Sequence, residues 1–495
     1  MADLFGTYDK RIKLTIDHTK IDDTLTDFPV TVFFTAAQAE EIFTEFDADE
    51  DFDRGQFALG DDTLLKAEKE WFSYYSFNVL TGGTASADNE YSGDYNADKA
   101  FDNNEGTRWA TQPTAYPHWL KYDLGVSVTK TVSKIRIKMY TDANNDSKSF
   151  TFAGSNNDSD WTTLLLDQTA DSDAWQEFLF SNTTAYRYYK INWTDDWSGT
   201  NDSCSVFEIE GMEAEPKAIY HVKIPSVSSS VDTDYYFYYD NNADHNTSYI
   251  GIIGSATAAE VWVDYAAVYH MADNTTSTIL DSTSNNNDGT KTSANNPIEA
   301  SGKIGQGQDF SDDAITHPTL LDVMPDDLTM EALIKTSTVI PDAQYIVQKE
   351  NITGEDRISL GLEGNKPRIW GEAGNAGNVT LLGTDNMAID TFYYVAGVHT
   401  HTAALKLYLN TTEYTGNVLG NINDGTDKDF YIGRDWQDNW EFNGVIDEVR
   451  ISSIARTAAW LKATYNSLWD SLLTYGSEET KPVEEEGNAL FWFNF

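Results

Sequence analysis

Apolar and polar residues alternate along most of the chain, the period-two pattern of strands that bury one face. Arg11-Ile-Lys-Leu-Thr-Ile16, Val30-Thr-Val-Phe33, Lys134-Ile-Arg-Ile-Lys-Met139, Tyr186-Arg-Tyr-Tyr-Lys-Ile-Asn-Trp193 and Leu405-Lys-Leu-Tyr-Leu409 all carry it. Polar clusters such as Asn144-Asn-Asp-Ser147, Ser155-Asn-Asn-Asp158 and Asn285-Asn-Asn-Asp-Gly289 separate the runs and read as turns. Only two stretches have helical spacing. Ala36 to Phe46 follows Thr35 as a cap and carries Ala39, Ile42, Phe43 and Phe46 on one side; Ala458 to Leu473 does the same with Trp460, Leu461, Thr464, Leu468, Trp469 and Leu472. The pattern predicts an all-β protein with minor helices.

A length of 495 residues makes this a multidomain chain. Thr81-Gly-Gly-Thr84 and Glu213-Ala-Glu-Pro216 read as boundaries, and Gly254-Ser-Ala-Thr257 as a weaker one. The acidic stretch 476–486 is expected to be a solvated linker. It leads to the aromatic tail Ala489-Leu-Phe-Trp-Phe-Asn-Phe495, which either docks on a partner or neighbouring domain or forms a last strand. Lys and Arg number 33 against 80 Asp and Glu, a net charge of −47, which argues against nucleic acid and anionic membranes as partners. Divalent cations, neutral glycans and basic protein surfaces stay open. The single cysteine, Cys204, removes any intramolecular disulfide. Neither a secretory leader nor an apolar run of membrane-spanning length is evident.

In the middle block, Lys99-Ala-Phe-Asp-Asn-Asn-Glu-Gly-Thr-Arg-Trp109, His118-Trp-Leu-Lys-Tyr-Asp-Leu-Gly125, Phe152-Ala-Gly-Ser-Asn-Asn, Trp161-Thr-Thr-Leu164 and Phe207-Glu-Ile-Glu-Gly211 occur in order. Residues 82–214 thereby resemble the discoidin, or coagulation-factor type C, family of galactose-binding-like β-sandwiches. An Asp-x-Asn-x-x-Thr turn can wrap oxygens around a hard cation. The resemblance implies a structural Ca²⁺ held by Asp102, Asn104, Thr107 and Glu208, with an Asx-turn lacking metal as the alternative. Asn103 replaces the family's usual Gly, a substitution Asn tolerates in left-handed backbone. Trp109 and Trp119 match core positions, whereas Tyr91, Tyr95, Tyr116, His118 and Trp197 fall on predicted loop tips. Rings there can stack on the apolar faces of sugars, so these five are the candidate glycan contacts.

From Ala267-Val-Tyr-His-Met271 through Ile304-Gly-Gln-Gly-Gln-Asp-Phe-Ser-Asp-Asp313 to Phe442-Asn-Gly-Val-Ile-Asp-Glu-Val-Arg-Ile451, residues 256–475 resemble the laminin-G-like, concanavalin A-like lectin/glucanase superfamily. A two-sheet jelly roll is implied. In relatives the corresponding acidic residues can hold Ca²⁺; here they are Asp312, Asp313 and Asp447, with a plain turn and an Asp447–Arg450 ion pair as the alternative. Residues 8–80 resemble a domain of unknown function that accompanies such modules in microbial and phage proteins, on Arg11-Ile-Lys-Leu-Thr-Ile and Leu25-Thr-Asp-Phe-Pro-Val30. Its closing run, Tyr235-Tyr-Phe-Tyr-Tyr-Asp-Asn-Asn242, comes only after the middle block. Residues 1–81 and 215–255 are therefore expected to form one β-domain with 82–214 inserted, giving three sandwich or jelly-roll modules and a tail from 476 to 495.

Catalytic signatures are weak. Glu208-Ile-Glu-Gly-Met-Glu213 matches a glucanase carboxylate spacing loosely but lies in the wrong module, and Asp447 and Glu448, adjacent in a strand, should point to opposite faces. His399 and His401 read as a surface pair. No nucleophile-elbow, Walker or dinucleotide fingerprint occurs. The expectation is a non-enzymatic glycan-binding adhesin, a homo-oligomer on a bacteriophage virion (tail fibre, receptor-binding or head-decoration protein), contacting other virion proteins through its aromatic tail. A structural virion protein and an extracellular accessory region of a polysaccharide-degrading enzyme are the alternatives.

Overall fold

The computed structural model describes residues 4–482 except 47, 141–146, 197–202, 274, 276, 293–296, 339, 351–355, 375–376, 423–427, 436 and 438–439. Trp197 and the aromatic tail lie outside the described residues. The chain forms two compact units, Met1–Phe72 with Lys217–Phe495, and Ser73–Pro216.

In the larger unit, alternation along Lys10–Ile16 drives Ile12, Leu14 and Ile16 into the core. That strand pairs antiparallel with Thr233–Tyr239, Leu14 opposite Tyr235, and on its other edge with Leu473–Thr480, Leu14 opposite Tyr475. The predicted acidic linker is thus a strand as far as Thr480. Its acidic side chains have partners: Arg11 Nη2 lies 2.6 Å from Glu479, and Tyr239 donates to Glu478 at 2.5 Å. Leu25–Thr35 pairs with the second half of the strand Ser205–Val227, Val30 opposite Val222 and Phe34 opposite Ala218.

Among the described residues, the jelly roll of this unit consists of two eight-stranded antiparallel sheets. Asn443–Ser452 lies between Gln306–Ser311 and Asp327–Thr336 in one; Ile340–Glu350, Asp356–Gly364 and Lys366–Ala373 are consecutive in the other. Their inner faces enclose Phe310, Met330, Ile346, Leu360, Ile369 and Ile451. A second core contains Phe28 and Val222 from the N-terminal strands together with Val268, Tyr394 and Trp460 from the jelly-roll segment, so these two pieces pack as one unit.

The first predicted helix spans Ala36–Glu45, with Ala39 off helical geometry; Thr35 does not cap it, its hydroxyl donating to Gln38 instead. The second, Ala458–Leu468, ends earlier than predicted because Leu473 already belongs to a strand. The hydroxyl of Thr457 accepts from the Trp460 amide and caps it. Asn443–Ser452 departs from strict alternation. Its register against Asp327–Thr336 slips between Glu331 and Leu333, and Glu448 has φ +50, a β-bulge; Asp447 and Glu448 are both buried and meet different partners.

The smaller unit is a sandwich. Among the described residues, one sheet has five strands in the order Thr162–Thr169, Ser147–Ser155, Tyr188–Asp196, His118–Asp123, Thr84–Ala87. The facing sheet holds Gln176–Leu179, Val132–Met139 and the first half of Ser205–Val227. Trp109, Trp193, Ile137 and Phe152 fill the space between.

Candidate functional site

In the smaller unit, the segment from Asp88 to Pro117 is laced by side-chain bonds at one end of the sandwich. Asn89 Oδ1 accepts from the Gln112 amide at 2.9 Å, Gln112 Nε2 donates to Tyr91 O at 2.6 Å, and the Trp109 indole donates to Asn89 O at 3.1 Å. This scaffold presents Tyr91, 54% exposed, edge-on to Tyr95 with ring centroids 5.8 Å apart. The guanidinium of Arg108 lies 5.2 Å from the Tyr95 ring and 3.5 Å from that of Tyr140, and its Nε has no hydrogen-bond partner. An exposed ring held at a loop tip by such a scaffold is a surface on which a sugar can stack.

Two expected glycan contacts fare differently. His118 is buried, its ring nitrogens 2.8 Å from Asp88 Oδ2 and 2.9 Å from Thr114 O, so it is not open to a sugar. Tyr116 is half-buried, packs against His118 and donates its hydroxyl to Ser203 O at 2.7 Å. The cause is register. His118, Leu120 and Tyr122 point inward, so Trp119, expected in the core, stands half-exposed on the outer face beside Lys121. Trp109 is fully buried.

The turn after Lys99 carries nested Asx bonds: Asp102 Oδ1 accepts from the Asn104 amide at 3.1 Å and Asn104 Oδ1 from the Gly106 amide at 3.0 Å. Asn103 adopts φ +54. Thr107 Oγ1 lies 2.9 Å from both Asp102 oxygens. Glu208 is fully buried and neither of its oxygens has a hydrogen-bond partner. Burial, reinforced by the charge of Asp102, pushes its carboxyl up to about 8, against the pull of the Asn103 and Asn104 amides. An orphaned buried carboxylate beside a second carboxylate and hydroxyl and carbonyl oxygens fits a hard divalent cation.

The jelly-roll acidic set does not assemble. Asp447 is buried and accepts from the amides of Lys303 and Ile304 at 2.8 and 3.0 Å. Asp312 lies on an exposed turn, its side chain 79% exposed and 4.0 Å from Arg434, and Asp313 accepts from the Ser311 amide. Ser311 pairs with Asn443, several residues along the strand from Asp447. Arg450 binds Glu448 rather than Asp447.

The jelly roll instead shows a pocket of about 210 Å³ that the sequence did not mark, lined by Tyr345, Arg357, Glu363, Arg368, Trp370 and Trp440. Tyr345 and Trp440 meet edge to face at 5.5 Å, the Arg357 guanidinium sits 4.3 Å over Trp370, and Arg368 Nε lies 3.5 Å from Glu363. These residues lie on three adjacent strands and a loop, so no local motif groups them. Glu210 and Glu213, from the glucanase-like spacing, are tied to Arg136 and Lys130 in ion pairs of 2.5 and 3.0 Å. His399 is buried and donates to Gly420 O at 2.7 Å, which separates it from the exposed His401. No helix among the described residues is long and apolar enough to cross a membrane.

No curated protein matches the chain. Among solved structures, chitosan-binding module 1 of a chitosanase/glucanase from Paenibacillus sp. IK-5 is 27% identical over 27% of this chain and 97% of its own, with a TM-score of 0.24. The family 32 carbohydrate-binding module of NanJ from C. perfringens, in complex with galactose, is 23% identical over 28% and 99%, TM-score 0.25. Domain 4 of the extracellular arabinanase AbnA from Geobacillus stearothermophilus, in complex with arabinotriose, is 23% identical over 40% and 97%, TM-score 0.34. Residues 83–209 match the F5/8 type C domain and residues 306–462 the concanavalin A-like lectin/glucanases superfamily, so the protein joins one domain of each kind, as the resemblances imply.

Proposed function

We propose that the protein binds glycans at two or more weak sites and does not cleave them. The observation that carries this reading is the jelly-roll pocket, where three aromatic rings and two arginines converge on one concavity. The Tyr91–Tyr95 pair beside Arg108 offers a second, flatter surface, and the F5/8 type C match supports a binding module there. Ion-paired Glu210 and Glu213 support binding without hydrolysis. Asp102, Asn104, Thr107 and Glu208 would hold a Ca²⁺ that stiffens the loop end, with orphaned Glu208 as the supporting observation. Weak sites gain usable strength by repetition, so display in many copies, as on a phage particle, is the setting this reading favours.

A glycan array with purified protein tests it, followed by titration of the best ligand. Trp440→Ala should weaken that ligand about tenfold or more, while Tyr91→Ala should mark a separable second site. No binding across the array at high protein concentration would leave subunit contact as the role of these folds. Release of reducing ends from any bound oligosaccharide would overturn the non-catalytic part. Co-sedimentation with virus particles checks the setting.

A further inference from the structure

The interior of the larger unit holds a cluster that the glycan reading does not use. Glu68 and Glu70 lie on Ala67–Tyr75, His221 on the second half of Ser205–Val227, His270 just after Tyr265–Tyr269, and Glu448 at the bulge of Asn443–Ser452. All five are buried. One donor atom each from Glu70, His221, His270 and Glu448 converges, the four lying within 4.8 Å of one another. Glu70 Oε2 is 2.7 Å from His221 Nε2 and 3.7 Å from His270 Nδ1, and His270 Nδ1 bonds Glu448 Oε1.

The atoms facing away from that point are nearly all committed. His270 Nε2 is 3.0 Å from Glu68 Oε2, and His221 Nδ1 is 3.1 Å from Thr31 Oγ1. Glu448 Oε2 accepts from Arg450, while Glu68 accepts from Ser282 and the Trp262 indole. The exception is Glu70 Oε1, buried with no hydrogen-bond partner. Histidines that ligate a metal characteristically donate their other ring N–H to a carboxylate or oxygen, which fixes the ring and the tautomer.

We propose that Glu70, His221, His270 and Glu448 form a structural site for one divalent transition metal, with zinc the best fit, that ties the N-terminal strands to the jelly roll. Two imidazoles with two carboxylates suit zinc better than Ca²⁺ or Mg²⁺, which take all-oxygen shells. Among the groups bonded in this network, Glu68, Glu70 and Glu448 against Arg450 leave two negative charges, with buried Asp447 beside them held by the Lys303 and Ile304 amides. The two charges are matched either by two protons, held in the His221–Glu70 and His270–Glu448 hydrogen bonds, or by one divalent cation that displaces both to solvent. A tetrahedron with bonds of about 2.0–2.1 Å spaces its ligands about 3.4 Å apart, so those two contacts must open, and the His221 and His270 rings, stacked with centroids 4.7 Å apart, must tilt toward a common point as the protons leave.

The full-length protein, purified without chelator and then loaded with zinc, should retain one tightly held zinc after desalting, measured by elemental analysis. Loading with Co²⁺ instead should give the intense visible absorption of a tetrahedral site. Glu70→Gln, which keeps the side-chain shape, should lose the zinc and the cobalt band while the circular dichroism stays native. His18→Ala, which disrupts the exposed Asp17, His18 and Asp232 trio, should keep both. Absence of retained zinc and of the cobalt band in the wild type would overturn the proposal and leave a proton-bridged network. Zinc that survives Glu70→Gln or departs with His18→Ala would overturn it as well. If Glu70→Gln does not fold, the wild-type cobalt spectrum decides alone. The Ca²⁺ proposed for the smaller unit does not enter these readouts.

Discussion

Glu208 is a buried carboxyl whose oxygens make no hydrogen bond, the Asn103 and Asn104 amides pulling on it only weakly while Asp102 adds a second negative charge beside it. Such a group is costly unless a proton or a cation sits with it. Asp102→Ala should therefore lower the melting temperature of the smaller unit in Ca²⁺ and remove its sensitivity to EDTA; an unchanged melting curve would remove the cation from that loop. His399 illustrates the opposite sign. Burial holds its ring below the usual histidine value, with the Gly420 carbonyl only partly offsetting this. The unfolded ring takes up a proton near pH 6.5, but the folded one resists, so stability is complete above that pH and falls as the pH drops through and below it. His399→Gln should flatten the loss between about pH 6.5 and 5, measured by urea midpoints.

At the scale of elements, the most informative strand is Leu473–Thr480. Its composition reads as solvated chain, yet its backbone pairs with Lys10–Ile16 and its acidic residues meet Arg11, Lys10 and Tyr239. Tyr475 fixes its approach: the hydroxyl accepts from the Phe33 amide at 2.9 Å and donates to Asp470 at 3.1 Å. Tyr475→Phe leaves that amide and carboxylate without this partner and should cost about 1–3 kcal/mol, read as a shift in the denaturant midpoint with the slope unchanged. The helix from Ala458 shows local rules at work, since Thr457 caps it and Trp460, Leu461, Thr464 and Leu468 are buried as their spacing predicts. Along His118–Asp123 the alternation was legible but not its phase, because core-forming Leu120 and Tyr122 draw His118 inward with them and turn Trp119 out.

On the scale of the whole molecule, the chain separates into a unit of Ser73–Pro216 and a unit made from both flanks. Each has its own core. Residues 73–216 expressed alone should fold, with cooperative melting that rises in Ca²⁺. The flanks joined by a short Gly-Ser bridge should likewise melt cooperatively. Failure of either would show that the units depend on one another for stability.

The sequence by itself determined what depends on near neighbours. Period-two alternation specified the strands, polar clusters the turns, and ordered motifs the two families matched at 83–209 and 306–462. The Asp102 turn belongs here too, since its bonds span two to five residues. Tertiary structure alone decided what depends on contacts between distant segments. His221 meets Glu70 across 151 residues and His270 meets Glu448 across 178, and no periodicity within a strand encodes either meeting. The aromatic pocket of the jelly roll likewise exists only once strand registers and a loop bring its rings together. The bulge that sets Glu448 among its partners is one extra residue in the pairing of two strands, a property of the pair and not of either sequence alone.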